Sequence, residues 1–214
     1  MHLFHYFPLF AGLAAALPAA NAPSSHLKQR QSAPQGVQVA EIAYSGSGCG
    51  AKSYPAQSLS DPTTISVPKT NFTAEAGKSQ AQVVDTRTTC QILIKVNQPS
   101  GWQYSIAKAD YYGRVHLPAG VTGISTTTYS FSGDTKKVSK AYYFDGPFDG
   151  LYYRNDRIVD TDRIWSACGS AASLNITAEL RVAPLTGQSS TRPASIEIFA
   201  PLGGKVGISW RTCT

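Results

Sequence analysis

Histidine, methionine, cysteine and charge are all scarce in this chain, and each scarcity closes a class of function. The 214 residues hold 4 His, 1 Met and 4 Cys, and only 15% are charged. His2, His5 and His26 all precede residue 31, which leaves His116 alone in the remainder. A Ser-His-Asp triad would have to use His116, yet no Gly-x-Ser-x-Gly elbow accompanies it, and Gly46-Ser47-Gly48 has the wrong spacing. Zinc and copper centres gather several His or Cys ligands, which one His and four sulfurs expected in disulfides do not supply. Long apolar runs are lacking as well. The stretch from Leu3 to Leu17 falls short of the roughly 20 residues that a membrane helix needs, so no membrane partner is expected. Basic residues number 19 against 13 acids, a net +6, but they are scattered. The tightest cluster, Lys136, Lys137 and Lys140 beside Asp134, is too thin for a nucleic-acid reader.

What is present begins with an export signal. Residues 1–22 form a short apolar run ending in small residues at Ala20-Asn21-Ala22, the pattern of a secretory signal peptide. Residues 23–36 are rich in Pro, Ser, Gln and Ala without apolar periodicity, so they are expected to be a disordered tail or a pro-segment trimmed after Lys28-Gln29-Arg30. Trimming there would leave 17 basic residues against 13 acids, a net +4. An even number of cysteines in an oxidising route makes two disulfides the expectation for a soluble, secreted, monomeric protein.

From residue 37 to 214 the pattern is β throughout. Cys90, Ile92, Ile94 and Val96 alternate on one face, as do Trp102, Tyr104 and Ile106, and then Thr127, Tyr129 and Phe131. The longest row is Leu174, Ile176, Ala178, Leu180 and Val182, with Ser173, Asn175, Thr177, Glu179 and Arg181 opposite. Val37, Val39 and Glu41 share a side near the start. Ile196 and Ile198, then Val206, Ile208 and Trp210, predict two closing strands with a turn at Leu202-Gly203-Gly204. Further turn signals stand at Pro99-Ser100-Gly101, Pro118-Ala119-Gly120, Ser132-Gly133-Asp134 and Asp145-Gly146-Pro147. Short alternating strands with such punctuation predict an all-β fold, a single antiparallel β-sandwich of jelly-roll or Ig-like type.

Several runs carry a family resemblance. They are Gly46-Ser47-Gly48-Cys49, Thr89-Cys90-Gln91-Ile92-Leu93-Ile94, Pro99-Ser100-Gly101-Trp102-Gln103-Tyr104-Ser105-Ile106 and Asp110-Tyr111-Tyr112-Gly113. With them come Phe144-Asp145-Gly146-Pro147, Trp165-Ser166-Ala167-Cys168-Gly169, Leu174-Asn175-Ile176-Thr177 and Ser209-Trp210-Arg211-Thr212-Cys213. Together they resemble the secreted, fungal-type family catalogued as domain of unknown function 4360, from about residue 37 to the end. The resemblance implies a secreted, disulfide-bonded, β-rich domain and brings no activity with it. Cys49, Cys90, Cys168 and Cys213 allow three connectivities; pairing sequence neighbours, Cys49 with Cys90 and Cys168 with Cys213, is preferred.

Three groups of residues are candidates for chemistry. Glu179 and Glu197 would have to share a face to serve as the carboxylate pair of a polysaccharide hydrolase, although Arg181 beside Glu179 also suits a solvated ion pair. Asp145, Asp149, Asp156, Asp160 and Asp162 offer oxygen ligands for Ca²⁺, but Arg154, Arg157 and Arg163 interleave with them, so no cofactor is the leading expectation. The doublets Tyr111-Tyr112, Tyr142-Tyr143 and Tyr152-Tyr153 must each turn one ring away from the core if they lie in strands. An outward tyrosine is amphipathic and can stack on a sugar ring. Sequons at Asn71 and Asn175 mark N-glycosylation candidates. The sequence therefore shows no catalytic centre. It favours a glycan or surface-binding module, with polysaccharide or a cell-wall surface as partner, ahead of a carboxylate hydrolase or a structural or effector-type protein with a protein partner.

Overall fold

A computed structural model describes residues 33–59, 61–78, 81–169 and 171–213. The expected signal peptide at 1–22 and most of the tail at 23–36 lie outside the described residues. Twelve strands follow in order: β1 (Gln38–Ser45), β2 (Lys52–Tyr54), β3 (Gln57–Ser58), β4 (Thr64–Ser66), β5 (Asn71–Ala76) and β6 (Thr86–Asn97). Then come β7 (Trp102–Leu117), β8 (Val121–Phe131), β9 (Lys137–Asp145), β10 (Phe148–Arg157), β11 (Ala172–Pro184) and β12 (Ala194–Thr212). A 3₁₀ turn spans Asp160–Asp162.

The strands form two antiparallel sheets. The larger runs β2-β1-β6-β11-β8-β9, with β3 also on β1; the smaller runs β10-β7-β12-β4, with β5 also on β12. The row read from Leu174 to Val182 becomes the centre of the large sheet, flanked by β6 and β8 over its whole length. Its apolar face meets that of the small sheet in one buried cluster. Ile42, Ile94, Leu174, Ile176 and Leu180 come from one side, and Ile106, Val115, Ile196 and Val206 from the other. Each such side chain contributes about 1.5–3 kcal/mol on leaving water, so this shared cluster holds the layers together. The architecture is an all-β sandwich with two disulfides, as the sequence pattern predicts.

Two local readings need correction, and between them the structure adds a bulge that the sequence pattern does not mark. Val37 and Val39 are buried but Glu41 is not on their side, because Ala40 is an extra residue: Val39 lies opposite Val96 and Glu41 opposite Lys95. That bulge switches the buried set to Ile42 and Tyr44. A second bulge, at Ala107, flips β7. Ile106 lies opposite Ile208 and Lys108 opposite Gly207, so even-numbered residues point inward before it and odd-numbered ones after it. The two closing strands are in fact one strand of 19 residues, β12, whose register shifts at Pro201 and again before Val206. Its long neighbour β7 keeps pairing on both sides of the shift, so the Leu202-Gly203-Gly204 signal marks an irregularity within a strand and not a reversal.

Candidate functional site

The flip in β7 decides what the small sheet shows to solvent. Beyond Ala107 the inward residues are Ala109, Tyr111, Gly113, Val115 and Leu117, which sends Lys108, Asp110, Tyr112, Arg114 and His116 outward. In β10 the inward residues are Tyr152, Arg154 and Asp156, which sends Asp149, Leu151, Tyr153, Asn155 and Arg157 outward. The two strands pair in strict register, so the outer face is a ladder of opposed pairs: Lys108 and Arg157, Asp110 and Asn155, Tyr112 and Tyr153, Arg114 and Leu151, His116 and Asp149.

The middle rung is aromatic. Tyr112 and Tyr153 are 39% and 55% exposed, and their ring centroids lie 5.1 Å apart at 42°. The Tyr153 hydroxyl donates to Asp110 Oδ1 at 2.8 Å, and the Asn155 side-chain amide donates to the same oxygen. These bonds fix the ring's tilt. Accepting from Tyr153 also lets Asp110 raise the phenol above its ordinary pKa, so Tyr153 stays a neutral donor. Leu151, 70% exposed, extends the apolar strip. Beyond it Asp149 accepts from Arg114 at 3.1 Å and lies 3.2 Å from His116 Nδ1, contacts that hold its carboxyl below the usual range. On the other flank, Ile198 of β12 lies opposite Gly113, and the register shifts directly after it.

Beneath this ladder lies a buried polar network. The Arg154 guanidinium donates to the Ser125 carbonyl at 2.8 Å, to Ser125 Oγ at 3.0 Å and to Thr127 Oγ1. It stacks on the Tyr111 ring at 4.3 Å and faces Tyr142 at 5.2 Å. Asp156 lies 3.5 Å from Arg154 Nη2 and accepts from the Tyr129 hydroxyl at 2.6 Å, which in turn is 3.0 Å from the Tyr111 hydroxyl. Both ionic side chains are wholly buried. Burial pushes the Asp156 carboxyl up, against the opposing pull of Arg154. Since Ser125, Thr127 and Tyr129 belong to β8, the network bolts the edge strand β10 to the opposite sheet and so fixes the rungs above it. Gly113 makes room in the same place: a Cβ there would collide with the Glu197 carbonyl oxygen and the Tyr152 ring.

The tyrosine doublets thus divide. Tyr111 and Tyr152 are buried, with phenols pushed up to about 12 chiefly by burial, and are withdrawn as stacking residues. Tyr142 is half-buried over Arg154, and its hydroxyl donates to the Asn155 carbonyl at 3.2 Å, so it closes the side of the sandwich. Tyr143 is 71% exposed but lies on the outer face of the large sheet, opposite Ile124. Only Tyr112 and Tyr153 meet. Glu179 and Glu197 do not: Glu179 is on β11, 3.4 Å from Arg87, and Glu197 is on β12 of the other sheet. Each points away from the core, so the two lie on opposite outer faces and cannot flank one glycosidic bond. The five aspartates are dispersed as well, with Asp149 on Arg114, Asp156 on Arg154, and Asp160 on Arg163 at 2.7 Å. Among the described residues no three His, Cys, Asp or Glu gather as a metal site. Asn71 opens β5 and is exposed opposite Phe199. Asn175 is half-buried on the outer face of β11 and donates to Ser132 Oγ at 3.1 Å.

Sequence reasoning missed Asp110, Asn155, Leu151, Arg114 and the buried Arg154–Asp156 pair. The period-two row Asp110, Tyr112, Arg114, His116 was there to be read. So was its complement, with Tyr152, Arg154, Asp156 and Ile158 in one phase, but Asp156 was weighed only as an oxygen ligand for Ca²⁺ and Arg154 as a cation between the acids.

The family model described as "Domain of unknown function (DUF4360)" matches residues 35–213. A protein of Arthroderma benhamiae described as an uncharacterized secreted protein is 27% identical over 181 residues, covering 85% of this chain and 74% of that protein. Among solved structures, TmCBM61 in complex with beta-1,4-galactotriose is 10% identical with a TM-score of 0.28, covering 70% of this chain and 87% of that one. The infectious bursal disease virus VP2 subviral particle is 12% identical with a TM-score of 0.27, covering 78% and 45%. TM-scores at that level say nothing of a ligand.

Proposed function

Because the chain belongs to the DUF4360 family, whose description assigns no activity, we propose its function from its own surface: it is a secreted glycan-binding module. The observation that carries this is the Tyr112–Tyr153 pair, two exposed rings held side by side in the middle of an open sheet face. A tyrosine ring offers an apolar face to the C–H surface of a sugar and a hydroxyl at its edge. Around the pair stand planar polar groups at fixed rungs, Asn155, Asp110 and Arg114, suited to hydroxyl recognition. The Asp110 bonds and the buried Arg154 network order this surface before any ligand arrives, so little side-chain entropy remains to be lost on binding.

Purified mature protein is to be tested for retention on chitin, β-glucan, cellulose and pectin, with released sugar assayed in the same tubes. Retention without release is the expected result. Tyr112→Ala and Tyr153→Ala should each weaken it by roughly threefold to tenfold, from about 0.5–1.5 kcal/mol per aromatic contact. Tyr143→Ala, on the other sheet, should leave retention unchanged. Release of sugar would reinstate a hydrolase, and no retention on any matrix would turn attention to a protein partner. The same secreted material provides a check on modification. Asn71 is the sequon we assign a glycan, being exposed at the start of an outer strand, whereas the Asn175 amide is already engaged with Ser132. Peptide mass spectrometry after deglycosylation in heavy-oxygen water should label Asn71, and absence of the label there would refute the assignment.

A further inference from the structure

We infer that the glycan taken by this face is a carboxylated one, a uronic-acid-containing chain that stacks on Tyr112 and Tyr153 and sets a carboxylate against Lys108 and Arg157. This rests on the glycan-binding reading and adds the ligand's charge. Lys108 and Arg157 are directly opposite in register and both exposed. Like charges facing each other across a strand pair are destabilising, so the arrangement works against the fold. Neither cation has an ion pair or hydrogen bond to the rest of the described chain. Two acids share the β7–β10 ladder, and both are engaged: Asp110 by Tyr153 and Asn155, Asp149 by Arg114 and His116.

Two further features focus positive charge at this end. Gly207 lies opposite Lys108, and a Cβ on it would come within 2.7 Å of Lys108 Cγ, so the missing side chain gives the lysine stem its path across β12. Lys205 is exposed next to Val206, which pairs with Ala109, and so adds a third cation on the same face. Between these cations and the aromatic rung stands one rung, Asp110–Asn155, whose carboxylate keeps its charge, is engaged by Tyr153 and Asn155, and is outnumbered two to one by Lys108 and Arg157. Along a strand two residues advance about 6.8 Å, so Tyr112 and Lys108 are about 14 Å apart along β7, within the span of a short oligosaccharide. A chain stacked on the rings therefore reaches the cations with a later sugar.

The test compares binding of the secreted protein to polygalacturonate oligomers, to the same oligomers with their carboxyls methyl-esterified, and to a sulfated dextran. The free oligomers are expected to bind about tenfold more tightly than the esterified ones, the scale of two exposed ion pairs, with the preference shrinking as salt rises. Lys108→Gln with Arg157→Gln should abolish the preference and leave binding to the esterified oligomer intact. Equal affinity for free and esterified oligomers would overturn the inference while leaving the glycan-binding reading in place. Tighter binding to sulfated dextran than to polygalacturonate, or uronate binding indifferent to Tyr112→Ala and Tyr153→Ala, would overturn it as a bare charge effect. No binding to any of the three would remove the underlying reading as well.

Discussion

Asp156→Ala is expected to lower stability by about 3–5 kcal/mol, the range for removing one partner of a buried ion pair. For a domain of this size that is a fall in Tm on the order of 10 °C. The loss is large because Arg154 would keep its charge in the core. Its bonds to Ser125 and Thr127 neutralise none of it, and its side chain has no exposed surface through which water could help. The Tyr129 hydroxyl would lose its acceptor at the same time. Chemical denaturation of the wild type and the variant gives the number directly. A loss under about 1 kcal/mol would mean that the pair is solvated in solution. A double variant, Arg154→Met with Asp156→Leu, separates charge from packing: replacing both ions by apolar groups is often neutral or better, so it should regain most of the loss.

The same carboxyl gives a pH signature. Burial raises its folded-state pKa above the unfolded value of 3.8. The folded protein therefore holds this proton more tightly than the unfolded chain does, and stability from Asp156 falls as pH rises from 3.8 to the folded value. Asp85 and Asp149 have the opposite sign. Arg181 bonds Asp85, His116 and Arg114 bond Asp149, and both carboxyls are held low, so their contribution is present above the unfolded pKa and lost as pH falls. Asp156→Asn removes only the first effect. Its stability penalty should therefore shrink as pH rises through that window, while the acid loss shared with the wild type persists.

Much of the sandwich was legible because burial imposes period two on any strand with one face in the core. The rows at Leu174–Val182 and Cys90–Val96 have no competing reading. Legibility failed where one inserted residue shifts the phase, as at Ala40 and Ala107, since a bulge changes which residues are buried without changing composition. It failed again in β10, where Arg154 and Asp156 occupy inward positions. A charged residue in a strand reads as solvated unless its partners are known, and these partners lie in β8, about 27 residues away in sequence. The binding face suffered likewise. Each tyrosine doublet showed that one ring must face outward, but that Tyr112 and Tyr153 meet depends on the pairing of β7 with β10. Tyr143 was equally eligible by sequence and went to the other sheet. Register across strands is a tertiary quantity, and the candidate site is made of register.

Removing the disulfides should be as costly as breaking the buried pair, but in two distinguishable ways. Cys49 is bonded to Cys90 and Cys168 to Cys213, with sequence separations of 41 and 45. Loops of that length correspond to roughly 4 kcal/mol each on the chain-entropy estimate, so the two should appear alike if unfolded-chain entropy were the whole effect. Their surroundings differ. Cys90 is wholly buried and Cys49 nearly so, beneath the join of β1 and β6, and paired Ala substitution there also removes packed sulfur from the core. Cys168 is exposed and Cys213 half-exposed, at the edge where β12 ends. Opening that bridge loosens the end of β12, where Trp210 Nε1 donates to the Pro62 carbonyl at 2.6 Å and Arg211 stacks on Trp165 at 4.1 Å. Cys168→Ala with Cys213→Ala should therefore cost about 4 kcal/mol or less and speed amide exchange first at Ser209 to Thr212. Cys49→Ala with Cys90→Ala should cost more and speed exchange through β1 and β6 together. Exposure also sets the order of reduction, because a thiolate must reach the sulfur it attacks. A mild reductant should open Cys168–Cys213 while Cys49–Cys90 survives, read by alkylation and peptide mapping. Simultaneous reduction of both would show that the β1–β6 join opens as readily as the chain end.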